Sequence, residues 1–285
     1  MIKEKLSLEH LALLYGRLKA VDTVISEYTF ANLYLFREAH RYEVIQDREL
    51  FVAGRTYDGM DYIMPVFDVT AIDRAYLDEM IKLHGALFPV DEKWLSLFDK
   101  GRYNISSEMG DADYVYTTDK ISTYPGKKLH KKRNLLSQFF DNYHHEAYPL
   151  LKARRDDAQK VLDLWQEEMG VPPEETDYYP CREALTLQEE LILCGGIYYV
   201  DKEPAGFILG EEVKPSTFAL HFAKGLRKVK GIYQYMYNNC AKVLDTHYDY
   251  VNFEQDLGKL PLRQAKSSYV PDMMVQKYRV CLRDE

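Results

Sequence analysis

Two stretches of this chain run through the same elements in the same order, and that doubling constrains the fold more than any single motif. In the first, Tyr42–Ile45 and Leu50–Ala53 flank the polar turn Gln46-Asp47-Arg48, and Tyr62–Phe67 follows a break at Arg55-Thr56-Tyr57-Asp58-Gly59. A helix is expected over Asp73–His84, where Ala75, Leu77, Met80, Ile81 and His84 recur at near-helical spacing. In the second, Ile197–Val200, the turn Asp201-Lys202-Glu203-Pro204, Ala205–Leu209 and Thr217–Phe222 again give three strands. Ile232, Tyr233, Met236, Tyr237, Cys240 and Leu244 mark the helix after them. Each series then reaches a strand opening with Asp-Tyr-Val, at 113–115 and at 249–251. Basic residues lie beyond it: Lys127–Arg133 in the first series, Arg263 and Lys266 in the second.

The segments between fill in the pattern. Residues 85–112 read as irregular, and a long helix over about 127–143 carries the stripe Leu129, Leu136, Phe139, Phe140 and Tyr143. Residues 146–155, with Pro149, read as a connection. A helix through Ala158, Val161, Leu162, Trp165 and Met169 stops at Gly170, ahead of Pro172-Pro173, and another is expected over about Arg182–Leu193. A strand at 250–253, a short helix at 261–266 and a closing strand at 273–278 complete the chain. The 285 residues therefore divide into units 1–148 and 149–285. The fold class is α/β (α+β): two tandem units, each a mixed, mostly antiparallel sheet flanked by helices.

Composition limits the rest. Lys and Arg number 37 against 45 Asp and Glu, a net charge of −8, which excludes a generally basic nucleic-acid coat but not a local basic site. Cys181, Cys194, Cys240 and Cys281 include no CxxC spacing and read as small buried hydrophobes in a reducing compartment. Glu4 and Glu9 interrupt any signal-peptide core, and no apolar stretch approaches the ~20 residues of a membrane span. A cytoplasmic chain that touches a membrane at most is expected.

The order of elements resembles the GNAT acyltransferase fold, and two such units in one chain resemble the tandem aminoacyl-tRNA-dependent transferases. NFEQDLG at 252–258, LRQAKSSYVP at 262–271 and PGKKLHKKRN at 125–134 are similar to the C-terminal catalytic domain of phosphatidylglycerol lysyltransferases. They are closer still to a family of soluble bacterial proteins sharing that domain without its transmembrane half. The resemblance implies transfer of an aminoacyl group from aminoacyl-tRNA to an amine or hydroxyl of a small molecule, peptide or lipid. An acyl-CoA-dependent N-acyltransferase is the second enzymatic reading. A non-catalytic module binding RNA or anionic lipid is the third.

Three groups of residues are candidates for the chemistry. In the GNAT fold the helix after the third strand receives the cofactor pyrophosphate, because a helix start presents free N–H groups and partial positive charge. Here that point is KGLRKVKGIYQYM at 224–236, with Lys224, Arg227, Lys228 and Gly231. Its counterpart, FDVTAIDRAY at 67–76, has Asp68 and Asp73 and no glycine, so the second half is the better donor site. Acetyl-CoA-binding members carry [R/Q]xxGx[G/A]; Tyr233 stands where the last small residue falls, which favours a different donor. The second group is Lys127, Lys128, Lys131, Lys132 and Arg133, a patch suited to phosphates of tRNA, CoA or a lipid headgroup. Lys128, Lys131 and Lys132 share a helix face. The third is Asn252, Glu254, Gln255, Asp256, Arg263, Lys266 and Tyr269. Strand alternation puts Asn252, Glu254 and Asp256 on one side. Glu254 or Asp256 would serve as base, Lys266 or Arg263 would neutralise charge, and Tyr269 would protonate the leaving group. Each group has a plainer reading: a solvated turn, a soluble helix face, and an ion-pair network closing the sheet. His144-His145-Glu146 lacks metal-site spacing, and Ser267-Ser268 lacks a nucleophile elbow.

Overall fold

The computed structural model describes residues 1–283. Its strands are β1 (Ile2–Lys5), β2 (Glu43–Gln46), β3 (Leu50–Arg55), β4 (Asp61–Pro65), β5 (Leu87–Val90), β6 (Tyr103–Ser107), β7 (Asp113–Thr117), β8 (His145–Pro149), β9 (Cys194–Val200), β10 (Glu203–Lys214), β11 (Thr217–Gly225), β12 (Tyr250–Asn252), β13 (Met273–Val275) and β14 (Tyr278–Leu282). The helices are α1 (Leu11–Ala20), α2 (Phe30–Leu35), α3 (Arg37–His40), α4 (Arg74–His84), α5 (Thr118–Thr123), α6 (His130–Asn142), α7 (Arg155–Met169), α8 (Tyr178–Thr186), α9 (Ile232–Leu244) and α10 (Leu260–Ser267). They make two seven-stranded mixed sheets, ordered β1-β2-β3-β4-β5-β14-β6 and β13-β7-β12-β11-β10-β9-β8. This is the tandem α/β architecture the repeated series predicts. No helix among the described residues is long and apolar enough to cross a membrane.

Capping chemistry sets several helix ends. The Asp73 carboxylate accepts the Ala75 N–H to start α4, so the acidic start of the first series is spent on its own helix. Gly170, at φ +68, ends α7 in the left-handed conformation that glycine adopts without a Cβ clash. The first turn of α6 has neither a side-chain cap nor an acidic residue, although it carries Lys131, Lys132 and Arg133.

By internal contacts the chain divides into one unit of Met1–Asp113, Gln255–Leu262 and the chain from Met274 on, and another of Tyr114–Glu254 with Arg263–Met273. The seam expected at 148–149 lies inside the second of these. The reason is strand exchange. The Asp-Tyr-Val strand of the first series, β7, pairs antiparallel with its counterpart β12, Val115 facing Asn252. The chain's last strand, β14, enters the first sheet between β5 and β6.

Four local expectations are corrected. β5 and β6 lie in the stretch read as irregular; β5 is a four-residue buried run, too short for alternation to show. β8 replaces the connection at 146–155, and its Pro149 is tolerated at the end of an edge strand. The helix expected over 182–193 is α8, which starts and ends earlier, and the closing strand is two strands, β13 and β14.

In the first unit, Lys277 is fully enclosed, with its ammonium 2.6 Å from Glu27 Oε2 and 2.7 Å from Asp113 Oδ1. It also donates to Gln255 Oε1 at 3.1 Å. Burial raises the Glu27 carboxyl to about 7 despite the facing ammonium. In the second unit, α7 and α9 pack on β10 and β11, and α6 packs on α9.

Candidate active site

The site is built where two parallel strands part. β11 and β12 are in register from Thr217 and Tyr250 to Ala219 and Asn252, and no further. Beyond that point β11 continues against β10 to Gly225, with Leu209 facing Phe222 and Gly210 facing Leu220. His221 is the residue left over, a β-bulge that re-aims its side chain. The imidazole is enclosed between two carboxylates. Nε2 lies 3.0 Å from Glu211 Oε1 on β10, and Nδ1 lies 2.8 Å from Glu254 Oε1, two residues past β12. A carboxyl oxygen on each nitrogen suits an imidazole that carries a proton on both. Burial pulls this imidazole down, but Glu254 and Glu211 outweigh it and raise it to about 10. His221 is therefore an imidazolium at neutral pH.

The backbone holds Glu254 in place. Its N–H donates to Asn252 Oδ1 at 2.7 Å, and it adopts φ +60, a left-handed conformation that costs a non-glycine residue about 1 kcal/mol or more. Its carbonyl accepts the Tyr114 N–H at 3.2 Å and the Lys266 ammonium at 3.1 Å. Glu211 and His221 are sealed from solvent, whereas the Glu254 side chain keeps 13% exposure, so Glu254 is the member of the cluster that meets solvent.

An aromatic wall adjoins it. Phe253 stands 4.7 Å from both Tyr116 and Tyr237, and Tyr237 stands 5.5 Å from Tyr269, ring centre to ring centre. Tyr116 donates to the Lys266 carbonyl at 2.7 Å, which fixes the end of α10. Tyr269 is buried, and its hydroxyl accepts from Gln234 Nε2 at 3.0 Å. Burial drives its pKa well up. The Lys132 ammonium lies over the Tyr269 ring, 3.8 Å from its centre, and burial lowers this amine to about 8.

The remaining expected site residues scatter. Lys127, Lys128 and Lys131 are exposed, while Lys132 turns inward onto Tyr269. The Arg133 guanidinium donates to the carbonyls of Tyr124 and Gly126, holding the turn before α6. Lys224 is buried, 2.6 Å from Asp177 and 3.7 Å over the Trp165 ring. The Arg227 N–H donates to Glu168 Oε2 at 2.8 Å and the Lys230 N–H to the Tyr143 hydroxyl at 3.3 Å. Lys228 is exposed beside a groove of about 570 Å³ lined also by Tyr143, Leu226 and Val229. At Gly231 a Cβ would sit 2.7 Å from the Leu135 carbonyl, so α6 covers the start of α9. The Tyr233 hydroxyl accepts the Gly225 N–H at 3.2 Å.

Strand alternation does not extend from Glu254 to Asp256. β12 ends at Asn252 and Glu254 turns left-handed, so the strand alternation that would align the two is lost. Asp256 is fully buried in the first unit and accepts the Gly258 N–H at 2.8 Å. Arg263 lies half-buried on α10. His221 and Glu211 escaped the sequence reading. Their trace is a pair of charged or titratable residues inside each of two adjacent apolar runs, Glu211 and Glu212 in FILGEEV and His221 and Lys224 in FALHFAKG.

Residues 18–281 match the family described as phosphatidylglycerol lysyltransferase, C-terminal. The chain belongs to that family. A conserved protein of unknown function from Bacteroides thetaiotaomicron shares the fold at a TM-score of 0.85 and 24% identity, covering 99% of this chain and 100% of that one. L-PGS from Bacillus licheniformis superposes at a TM-score of 0.64 and 14% identity over 100% of this chain and 95% of its own. An uncharacterised protein of Mycoplasmoides gallisepticum is 24% identical over 188 residues, which is 64% of this chain and 60% of that relative's length. At these identities the solved structures speak for the fold alone, two seven-stranded mixed sheets with flanking helices.

Proposed function

We propose that this chain is an acyltransferase that moves an aminoacyl group from aminoacyl-tRNA to an amine or hydroxyl acceptor. The observation that carries the reading is the Glu254 carboxyl group, placed where β11 and β12 part, partly exposed and 2.8 Å from the enclosed His221 imidazole. Membership of a family named for lysyl transfer supports it. In the reaction the acceptor oxygen or nitrogen bonds to the ester carbonyl carbon, and the bond from that carbon to the ribose oxygen breaks. Glu254 accepts a hydrogen bond from the acceptor and orients it. Lys266, beside the Glu254 carbonyl, supplies positive charge for the developing oxyanion. Lys127, Lys128, Lys131 and Lys228 are exposed cations available to donor phosphates. Acyl-CoA fits less well, because the N–H groups of Arg227 and Lys230 are committed within the protein and α6 covers the start of α9.

The test is transfer from radiolabelled lysyl-tRNA to phosphatidylglycerol vesicles and, in parallel, to free amines, with acetyl-CoA as the competing donor. Glu254→Gln is expected to lower turnover at least ~100-fold while tRNA retention is unchanged. Turnover with acetyl-CoA alone, or wild-type turnover in Glu254→Gln, would overturn the reading.

A further inference from the structure

The site still lacks a group that takes up a proton at neutral pH. Glu254 is already engaged, its Oε1 lying 2.8 Å from Nδ1 of the enclosed His221 imidazole. Tyr269 is no better: it is buried, its hydroxyl already accepts from Gln234, and burial keeps it protonated. Besides Lys266, which donates to the Glu254 carbonyl, a second amine lies on the same wall. Lys132 lies over the ring of Tyr269, and that ring stands 6.2 Å from Phe253, the neighbour of Glu254 in the chain.

Lys132 is placed in a way that stability does not explain. It sits in the first turn of α6, where the helix already presents positive charge, and no acidic residue offsets it. Lys128, Lys131 and Arg133 on its own segment add like charge. Among the described residues no carboxylate pairs with it; the group facing it from another element is the Tyr269 ring. A half-buried amine on an aromatic face without a counter-ion loses solvation of its charged form, and its lowering to about 8 has that single cause.

We propose that Lys132 is the catalytic acid–base of the transfer, a role that rests on the aminoacyl-transfer reading. As the neutral amine it takes the proton from the acceptor hydroxyl or amine as the new bond to the carbonyl carbon forms. As the ammonium it returns that proton to the ribose oxygen as the carbon–oxygen bond breaks. The amine ends as it began, and no further reactant is needed.

Two measurements test this. The first uses the full chain without substrate: trace labelling with acetic anhydride from pH 6.5 to 10.5, read at Lys132 by peptide mass spectrometry. Half-maximal reactivity is expected at about pH 8. An ordinary lysine titrates near 10.4, so Lys132 has a roughly 100-fold larger neutral fraction at pH 8. A half-point above ~9.5 would overturn the proposal whatever the substrates are. The second is the pH–rate profile of Lys132→Arg, which keeps the charge but cannot become neutral. The wild-type rate is expected to rise through about pH 8. In the variant that limb disappears and kcat falls at least ~100-fold with KM for tRNA held. An unchanged profile in a folded variant refutes the role. A wild type that transfers nothing from lysyl-tRNA counts against the function reading, while the labelling half-point still decides the state of Lys132.

Discussion

Raising the pH tests the imidazolium on which the site reading depends. Lifting His221 from 6.5 to about 10 is worth at most about 5 kcal/mol of stability, at ~1.4 kcal/mol per pH unit. The folded pKa lies above the unfolded one, so this contribution is full below pH 6.5. It declines as the unfolded chain loses its proton and is gone once pH passes about 10. Lys132 acts in the opposite sense: its folded pKa is lowered to about 8, so its cost is relieved as pH rises from 8 toward 10.5. That effect is smaller than the bare shift implies, because the amine is half exposed and screened. Comparison with His221→Gln removes it. Urea unfolding of both proteins between pH 6.5 and 9 should show the wild-type advantage shrinking by up to ~1.4 kcal/mol per unit. His221→Gln also leaves two buried carboxylates facing each other, so the triple variant Glu211→Gln, His221→Gln, Glu254→Gln serves as the folded reference if the single one does not fold. Independently, the His221 ring carbons should show no NMR titration step between pH 6 and 9. A midpoint below ~8 in the intact protein would refute the assignment of the cluster as two carboxylates around a cation.

Other perturbations have equally direct readouts. Lys277→Met strands Glu27 and Asp113 in the first unit and should cost about 3–5 kcal/mol, measured as a shift in the urea midpoint. Gly231→Ala forces a side chain to φ +85 and against the Leu135 carbonyl, so a loss of at least ~1 kcal/mol is expected, with faster amide exchange along α6. Replacing Lys127, Lys128 and Lys131 by Gln should lower the log–log salt slope of tRNA retention by about 2–3, since each phosphate contact contributes ~0.7–0.9. A salt slope equal to that of the wild type would remove these lysines from the donor path.

Much of the fold was legible because its evidence is local and repeated. The hairpin over Glu43–Gln46 and Leu50–Arg55 and the helix over Arg74–His84 formed close to where turn residues and helical spacing put them. What failed was pairing between distant segments. Nothing in Asp-Tyr-Val at 113–115 tells that its strand lies beside the other Asp-Tyr-Val strand, or that Tyr278–Leu282 returns to the first sheet. Local propensity carries no information about which edge a strand will join, and a four-residue buried strand such as Leu87–Val90 has no periodicity to read.

The site was legible in kind but not in arrangement, and the difference is physical. Lys132, from the basic helix segment, and Lys266 and Tyr269, from the segment after the last Asp-Tyr-Val strand, were expected as separate groups, and the fold brings them near Glu254 and Phe253. Their roles depended on features that one-dimensional spacing cannot encode. The left-over residue in the β10–β11 ladder places His221 between the Glu211 and Glu254 carboxyl groups and so fixes the position of Glu254. A left-handed turn at Glu254 separates it from Asp256, and a tyrosine ring beneath Lys132 removes water from an amine that the sequence presents as one cation among five. A carboxylate pinned by an imidazolium and an amine stripped of a counter-ion are complementary. The first is a fixed hydrogen-bond partner that orients a proton-bearing group, and the second changes charge near pH 8 and can carry the proton away. A surface salt bridge between the same residue types would leave both permanently charged and neither able to do so.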